Sequence, residues 1–179
     1  MAAFGQPDAG NGGTMSKHAE LPANLPEAAP SAIPAGLPRF IASMGGIGFL
    51  RPAPGTWGSA LVLPVALAGW EASLALGLLL SLLGWWALVR LPEARQDPSW
   101  VVVDEGAGQS IALAALPAAG VTGVLLAFLL FRAFDILKPG PVGWADRRKG
   151  AAGVMLDDII AGALAAALLL AARWMGVTL

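Results

Sequence analysis

The sequence predicts an all-α fold: a multihelical bundle of short apolar helical hairpins, membrane-associated, behind a disordered leader. Three observations predict it. Hydrophobic residues make up 56% of the 179 and charged residues only 13%, about half the charged share of an ordinary soluble domain. The mean hydropathy of +0.68 points the same way. The apolar residues are gathered into long runs, broken by Gly and Pro and bordered by charges. A chain of this length forms one domain with a sizeable core.

Residues 1–38 hold Gly10, Asn11, Gly12, Gly13, Pro22, Pro26, Pro30, Pro34 and Pro38. Such frequent prolines forbid a continuous helix, and little apolar surface is available to bury. The segment lacks the apolar run of an export signal and reads as a disordered leader. The folded domain is expected over residues 39–179. Its first part, residues 40–59, is rich in Gly and Pro and reads as loop.

An apolar stretch follows from Trp57 to Val89, with Ala68-Gly69-Trp70-Glu71 at its centre as a turn between two short helices. Arg90 to Trp100 contains Pro92 and Pro98 and reads as a surface loop. A second uncharged stretch runs from Gly106 to Phe131 and a third from Ile159 to Ala172. In one straight helix, Glu105 and Arg132 would stand about 40 Å apart. Pro117-Ala118-Ala119-Gly120 instead predicts a hairpin that returns Arg132 to the side of Asp104 and Glu105. The same folding brings Arg90 back beside Ser59. The charged ends then converge on one face, whereas full spans would divide them across the bilayer.

Absent residues exclude several chemistries. There is no Cys and no Tyr, and His18 in the leader is the only His. Disulfides, zinc–thiolate sites, a cysteine nucleophile and a His-based triad are set aside. A net charge of −1 gives no reason to expect a nucleic-acid partner.

Four polar clusters border the apolar runs. In the first, Arg51 to Ser59, Thr56 or Ser59 is expected to cap a helix and leave free N–H groups for an anion. In the second, Asp104 and Glu105 open an apolar helix. Helix-dipole complementation explains one acid there, but two charges beside a membrane-like segment call for a partner. In the third, Arg132, Asp135 and Lys138 recur every three residues and are expected on one helix face. In the fourth, Asp157 and Asp158 open the last helix, and Gly162 lets another helix approach closely. Asp104, Glu105, Asp135, Asp157 and Asp158 together repel one another unless a hard cation joins them. Oxygen-only ligands favour Mg²⁺ or Mn²⁺. Arg132 and Lys138 add the charge that a phosphoryl group requires.

These clusters resemble the phosphatidylglycerophosphatase A family: PGTWGS at Pro54–Ser59, VDEGAGQ at Val103–Gln109, FRAFDILKPGP at Phe131–Pro141 and GVMLDD at Gly153–Asp158. The resemblance covers residues 40–172. It implies an all-helical fold and Mg²⁺-dependent removal of the terminal phosphate from phosphatidylglycerol phosphate, at the cytoplasmic face of a bacterial inner membrane. By the matching motifs, Asp104, Glu105, Asp135, Asp157 and Asp158 are the metal and catalytic candidates, with Arg132 and Lys138 on phosphate. Arg51, Thr56 and Ser59 are further substrate-binding candidates. Two departures, Gly140 in place of an aromatic residue and Lys149-Gly150-Ala151-Ala152 in place of a His-Gly-Gly segment, bear on how the head group is held. The run Asp146-Arg147-Arg148-Lys149, with Arg90 and Arg95, is expected to meet anionic membrane lipids or to be a solvated loop. The rival readings are a small multipass transporter or channel with the acids as an ion path, and a non-catalytic membrane adaptor.

Overall fold

A computed structural model describes residues 1–2, 36–117 and 120–178. Most of the expected leader, including His18, therefore lies outside the described residues, as do Ala118 and Ala119. Among the described residues the elements are helices without a strand.

The stretch read as loop is instead largely helical. Helix α1 spans Gly36–Ala42, beginning just ahead of the expected boundary; a 3-10 turn covers Ile47–Phe49, and α2 spans Pro54–Leu61. Pro54 is compatible with a helix because it stands at its first position, where a missing N–H costs nothing. Neither Thr56 nor Ser59 caps α2. The N-cap is Ala53, and both hydroxyl residues lie inside the helix, where Ser59 Oγ donates to the Gly55 carbonyl at 2.9 Å.

The turn expected at residues 68–71 forms at Gly69, whose φ of 98° suits glycine. It joins a 3-10 segment, Leu63–Ala68, to α3, Trp70–Val89. Helix α3 has 20 residues and is therefore not short. At about 1.5 Å per residue it is as long as a hydrocarbon core is thick. Its buried residues are Ser73, Gly77, Gly84, Ala87 and Leu88, while Leu74, Leu78, Leu79, Leu82, Leu83, Trp85 and Val89 are exposed. The small residues face the protein and most of the large apolar ones face outward, the reverse of a helix in a water-soluble domain. Arg90 donates to the Trp86 carbonyl at 2.9 Å and lies over the Trp86 ring.

Helix α4, Val103–Leu113, is followed by a break and then α5, Val121–Leu137. The break falls where Pro117 and Gly120 predict it. Helix α4 is the centre of the bundle, with Val103, Asp104, Gly106, Ala107, Gly108, Gln109, Ser110, Ala112 and Leu113 all buried. Helix α6, Pro141–Asp146, was not foreseen. Helix α7 spans Ala151–Trp174, 24 residues, so Asp157 and Asp158 sit in its second turn and do not open it. Gly150, at φ 78°, ends the preceding turn, and Ala151 and Ala152 are strong helix formers. Helices α3 and α7 are each long and apolar enough to cross a membrane.

Helix α4 packs against α7 at van der Waals distance between backbones. A side chain at Gly162 would strike the Gly108 carbonyl, and one at Gly108 would strike the Asp158 carbonyl and the Phe131 ring. These two glycines let the acid-bearing turns of α4 and α7 adjoin.

Candidate active site

The first turn of α4 carries Asp104 and Glu105. The close crossing with α7 brings Asp158 to them, and carboxylate oxygens of Asp104, Glu105 and Asp158 lie within 4.8 Å of one another. Glycine at position 55, near the start of α2, leaves room for the Glu105 carboxylate. A Cβ there would meet Glu105 Oε1 and stand 3.3 Å from Arg132 Nη1. Arg132 is thus beside Glu105, on the side to which the α4–α5 hairpin returns it. Its Nη1 also lies 2.7 Å from Asp135 Oδ2, an ion pair that lacks the angle of a hydrogen bond.

Lys138 does not share the stripe of Arg132 and Asp135. Helix α5 ends at Leu137, and Lys138 adopts a left-handed conformation at φ 46°. The following Pro139 disfavours continuation of the helix through Lys138. The ammonium swings to Asp157, donating to Oδ2 at 3.0 Å, and to Asp146. Burial alone lowers the lysine's proton affinity, but the hydrogen bonds and charges of Asp146 and Asp157 outweigh it and hold Lys138 above its ordinary range. It is a charge fixed between two carboxylates.

Five acids, Asp104, Glu105, Asp135, Asp157 and Asp158, thus gather around two cations, Arg132 and Lys138. The electrostatic consequence is visible on α4. Burial, reinforced by the charges of Asp97 and Asp157, raises Asp104 from 3.8 to about 6, although its hydrogen bond with Glu105 opposes the shift. Glu105 is pushed well above its ordinary value by burial and then by the charges of Asp104, Asp158 and Asp135. Its buried Oε2 has no hydrogen-bond partner among the described residues. A hard divalent cation fits this donor set: oxygen ligands only, surplus negative charge and an unfilled buried lone pair.

Of the other expected residues, Arg51 is exposed, Thr56 is half-buried and Ser59 is buried with its hydroxyl bonded within α2. Within the same motif it is Gly55 that abuts Glu105. Conversely, three residues that were not among the expected site residues adjoin the site. Asp146 is the last residue of α6 and holds Lys138. Asp97 stands on the rim of a polar cleft of about 210 Å³ that Asp146, Arg148, Lys149 and Asp157 also line. Gln109 is fully buried one turn beyond Glu105. Asp146 lies in a run expected to meet anionic lipids or to be a solvated loop, and only the turn at Lys138 shows its contact with that lysine. Gln109 stands at the end of the second motif, which was the available signal.

An α-helical bundle that gathers buried carboxylates and an arginine at one end, a donor set able to hold a metal ion, defines the class: a helical enzyme acting on phosphate monoesters. The chain belongs to the phosphatidylglycerophosphatase A family, whose model matches residues 40–173. Phosphatidylglycerophosphatase A of Haemophilus influenzae is 37% identical over 139 residues, 73% of this chain and 85% of that one. A Bacteroides thetaiotaomicron protein provisionally named phosphatidylinositol-3-phosphatase is 39% identical over 150 residues, covering 76% of this chain and 94% of the relative. Escherichia coli phosphatidylglycerophosphatase A is 42% identical over 74 residues, 41% of this chain and 43% of the relative. No solved structure matches the chain.

Proposed function

We propose that this chain is a Mg²⁺-dependent lipid phosphatase that hydrolyses phosphatidylglycerol phosphate to phosphatidylglycerol and phosphate. The observation that carries the reading is the convergence of Asp104, Glu105 and Asp158 carboxylates within 4.8 Å, with Arg132 against Glu105. Asp104, Glu105 and Asp158 are the residues that would hold the ion, with Asp135 and Asp157 beside them. When bound, Mg²⁺ supplies Lewis acidity toward a phosphoryl oxygen and acidifies a coordinated water.

The remaining chemistry belongs to the protein. The guanidinium of Arg132 offers a planar fork of donors to non-bridging phosphate oxygens and stabilises the charge that grows on them. Asp135, paired with Arg132, takes the proton of the attacking water. As the P–O bond to glycerol breaks, the leaving oxygen, on the far side of phosphorus, takes a proton from solvent, and Asp135 later releases its own proton to solvent. Lys138 holds Asp157 in place through its hydrogen bond to Oδ2, and an ammonium has a third N–H to offer a phosphate oxygen. A carboxylate nucleophile at Asp135 is the alternative route; in a single turnover in labelled water, label appearing first in the protein carboxyl would select it.

The outward leucines of α3 support a membrane setting, since lipid solvates them where water does not. With the acyl chains in the bilayer, the head group meets the polar end of the bundle, and that end faces the cytoplasm of a bacterial inner membrane.

The test is phosphate release from phosphatidylglycerol phosphate in mixed micelles, with Mg²⁺ or EDTA, for the wild type and Asp135→Asn. Turnover that requires Mg²⁺ and is lost in a folded Asp135→Asn variant supports the reading. Folded wild type inactive with every divalent metal overturns it. Faster release from phosphatidylinositol 3-phosphate would move the substrate assignment while keeping the chemistry.

A further inference from the structure

Gln109 is completely buried, and neither its Oε1 nor its Nε2 has a hydrogen-bond partner among the described residues. A buried amide with both ends unmet is costly, and such groups are ordinarily satisfied by protein or by ordered water. The position of Gln109 indicates which partner it meets. It lies four residues after Glu105 on α4, so the two side chains share a face one turn apart. Side chains on a helix lean toward its N-terminus, so Gln109 reaches back toward the turn that carries Asp104 and Glu105. Among the described residues, Glu105 Oε2 is the other buried oxygen there without a partner. A water molecule between them would find two acceptors, Glu105 Oε2 and Gln109 Oε1, and one donor, Gln109 Nε2, enough to order it.

We infer that Gln109 is a positioning residue of this phosphatase: its amide holds a water against the Glu105 carboxylate and fixes the orientation of both. The inference rests on the functional reading above. An amide suits the task because it donates and accepts at once and does not titrate. A carboxylate would add repulsion where acids already crowd, and an apolar residue would leave Glu105 free to rotate. Partners of this kind, which orient a ligating carboxylate, change metal affinity or activity about 10–100-fold when removed.

The experiment compares full-length wild type with Gln109→Met, which keeps the volume and removes the amide. Three quantities are read: the melting temperature without metal, Mn²⁺ affinity by electron paramagnetic resonance, and kcat and KM for micellar substrate. The expected result is an unchanged or higher melting temperature, Mn²⁺ affinity weaker by about 10-fold, and kcat lower by about 10–100-fold with KM little changed. A purely structural glutamine gives the opposite pattern, with stability altered and both Mn²⁺ affinity and kcat kept; that result overturns the inference alone. Wild type that neither binds Mn²⁺ nor releases phosphate overturns the functional reading and this inference with it. If Gln109→Met does not fold, Gln109→Asn, which withdraws the amide by one methylene, decides by the same two readouts. Weakened Mn²⁺ binding in folded Gln109→Asn supports the inference, and wild-type affinity and kcat overturn it.

Discussion

At the scale of single residues, the site stores repulsion. Asp104 is raised from 3.8 to about 6 and Glu105 well above its ordinary value, first by burial and then by neighbouring acids. Their folded pKa values lie above the unfolded ones, so between 3.8 and about 6 the folded chain binds more protons than the unfolded chain. The site's contribution to metal-free stability therefore falls as pH rises through that window, and is fully present only below it. Melting of the metal-free protein should be higher at pH near 4.5 than at pH near 7.5, and Mg²⁺ should restore the loss at the higher pH. The reverse order without metal would mean that the carboxylates are satisfied as ions by the protein alone. The same repulsion makes Asp158→Asn informative. It removes one member of the crowd, so the metal-free protein should melt higher while Mg²⁺-dependent turnover falls at least about 100-fold. A lower melting temperature together with retained turnover would assign Asp158 a structural role. Gly140 shows a simpler constraint: its φ of 41° and ψ of −102° belong to glycine, and this turn could not hold an aromatic residue without strain.

At the scale of elements, the α4–α7 crossing assembles the site, because Gly108 and Gly162 are where two backbones touch. Gly162→Ala should destabilise the fold by about 1–3 kcal/mol through overpacking. It should also lower activity more than that loss of stability explains, since Asp158 rides on the displaced turn. Denaturant titration in detergent, set beside phosphate release from protein still folded, separates the two effects. Unchanged activity in a destabilised Gly162→Ala variant would detach the crossing from the chemistry. Much of this arrangement was legible in the sequence. Gly69 and the pair Pro117 and Gly120 are strong breakers and fall where helices end, and Gly162 reads as a close-approach residue one turn beyond Asp158. What was not legible depended on tertiary context or on a single dihedral. Lys138 looks like the third step of a helical stripe, yet its left-handed turn before Pro139 sends it to Asp157 and Asp146. Residues 40–59 look like loop by composition, but Pro54 stands where a helix can begin. Asp157 and Asp158 look like an opening pair because the apolar run starts after them, while the helix starts earlier, on alanines that carry no pattern. Gln109 gives no sign of burial in a motif dominated by its acids.

At the scale of the whole molecule, the two ends differ. The acids, Arg132 and Lys138 lie at one end of the bundle, where Glu105, Gly55 and Asp158 meet. At the other, Arg173 near the end of α7 donates to the Ala115 carbonyl, just past α4, at 2.7 Å. Three arginines lie over tryptophan rings: Arg39 on Trp100 at 5.0 Å, Arg90 on Trp86 at 4.4 Å and Arg148 on Trp144 at 3.9 Å. Arg90 closes α3 and Arg148 follows α6, so these pairs belong to the segments that adjoin the acids. Tryptophan with a charged neighbour suits the boundary between hydrocarbon and water, where the ring is half-solvated and the cation meets lipid phosphate. In the proposed membrane setting, the leucine face of α3 supplies burial and the Arg–Trp pairs supply attraction to anionic head groups. The two contributions separate experimentally. Leu78→Gln with Leu82→Gln, both on exposed positions, should weaken binding to neutral and anionic vesicles alike, since the change removes apolar surface without adding charge. Arg90→Ala with Arg148→Ala should weaken binding to anionic vesicles only, by about fivefold per arginine, since each basic residue near such a surface contributes about 1 kcal/mol. Vesicle flotation at low and high salt reads both. If the arginine pair were lost without effect on anionic vesicles at low salt, the basic run after α6 would be a solvated loop and the leucine face alone would hold the chain at the bilayer.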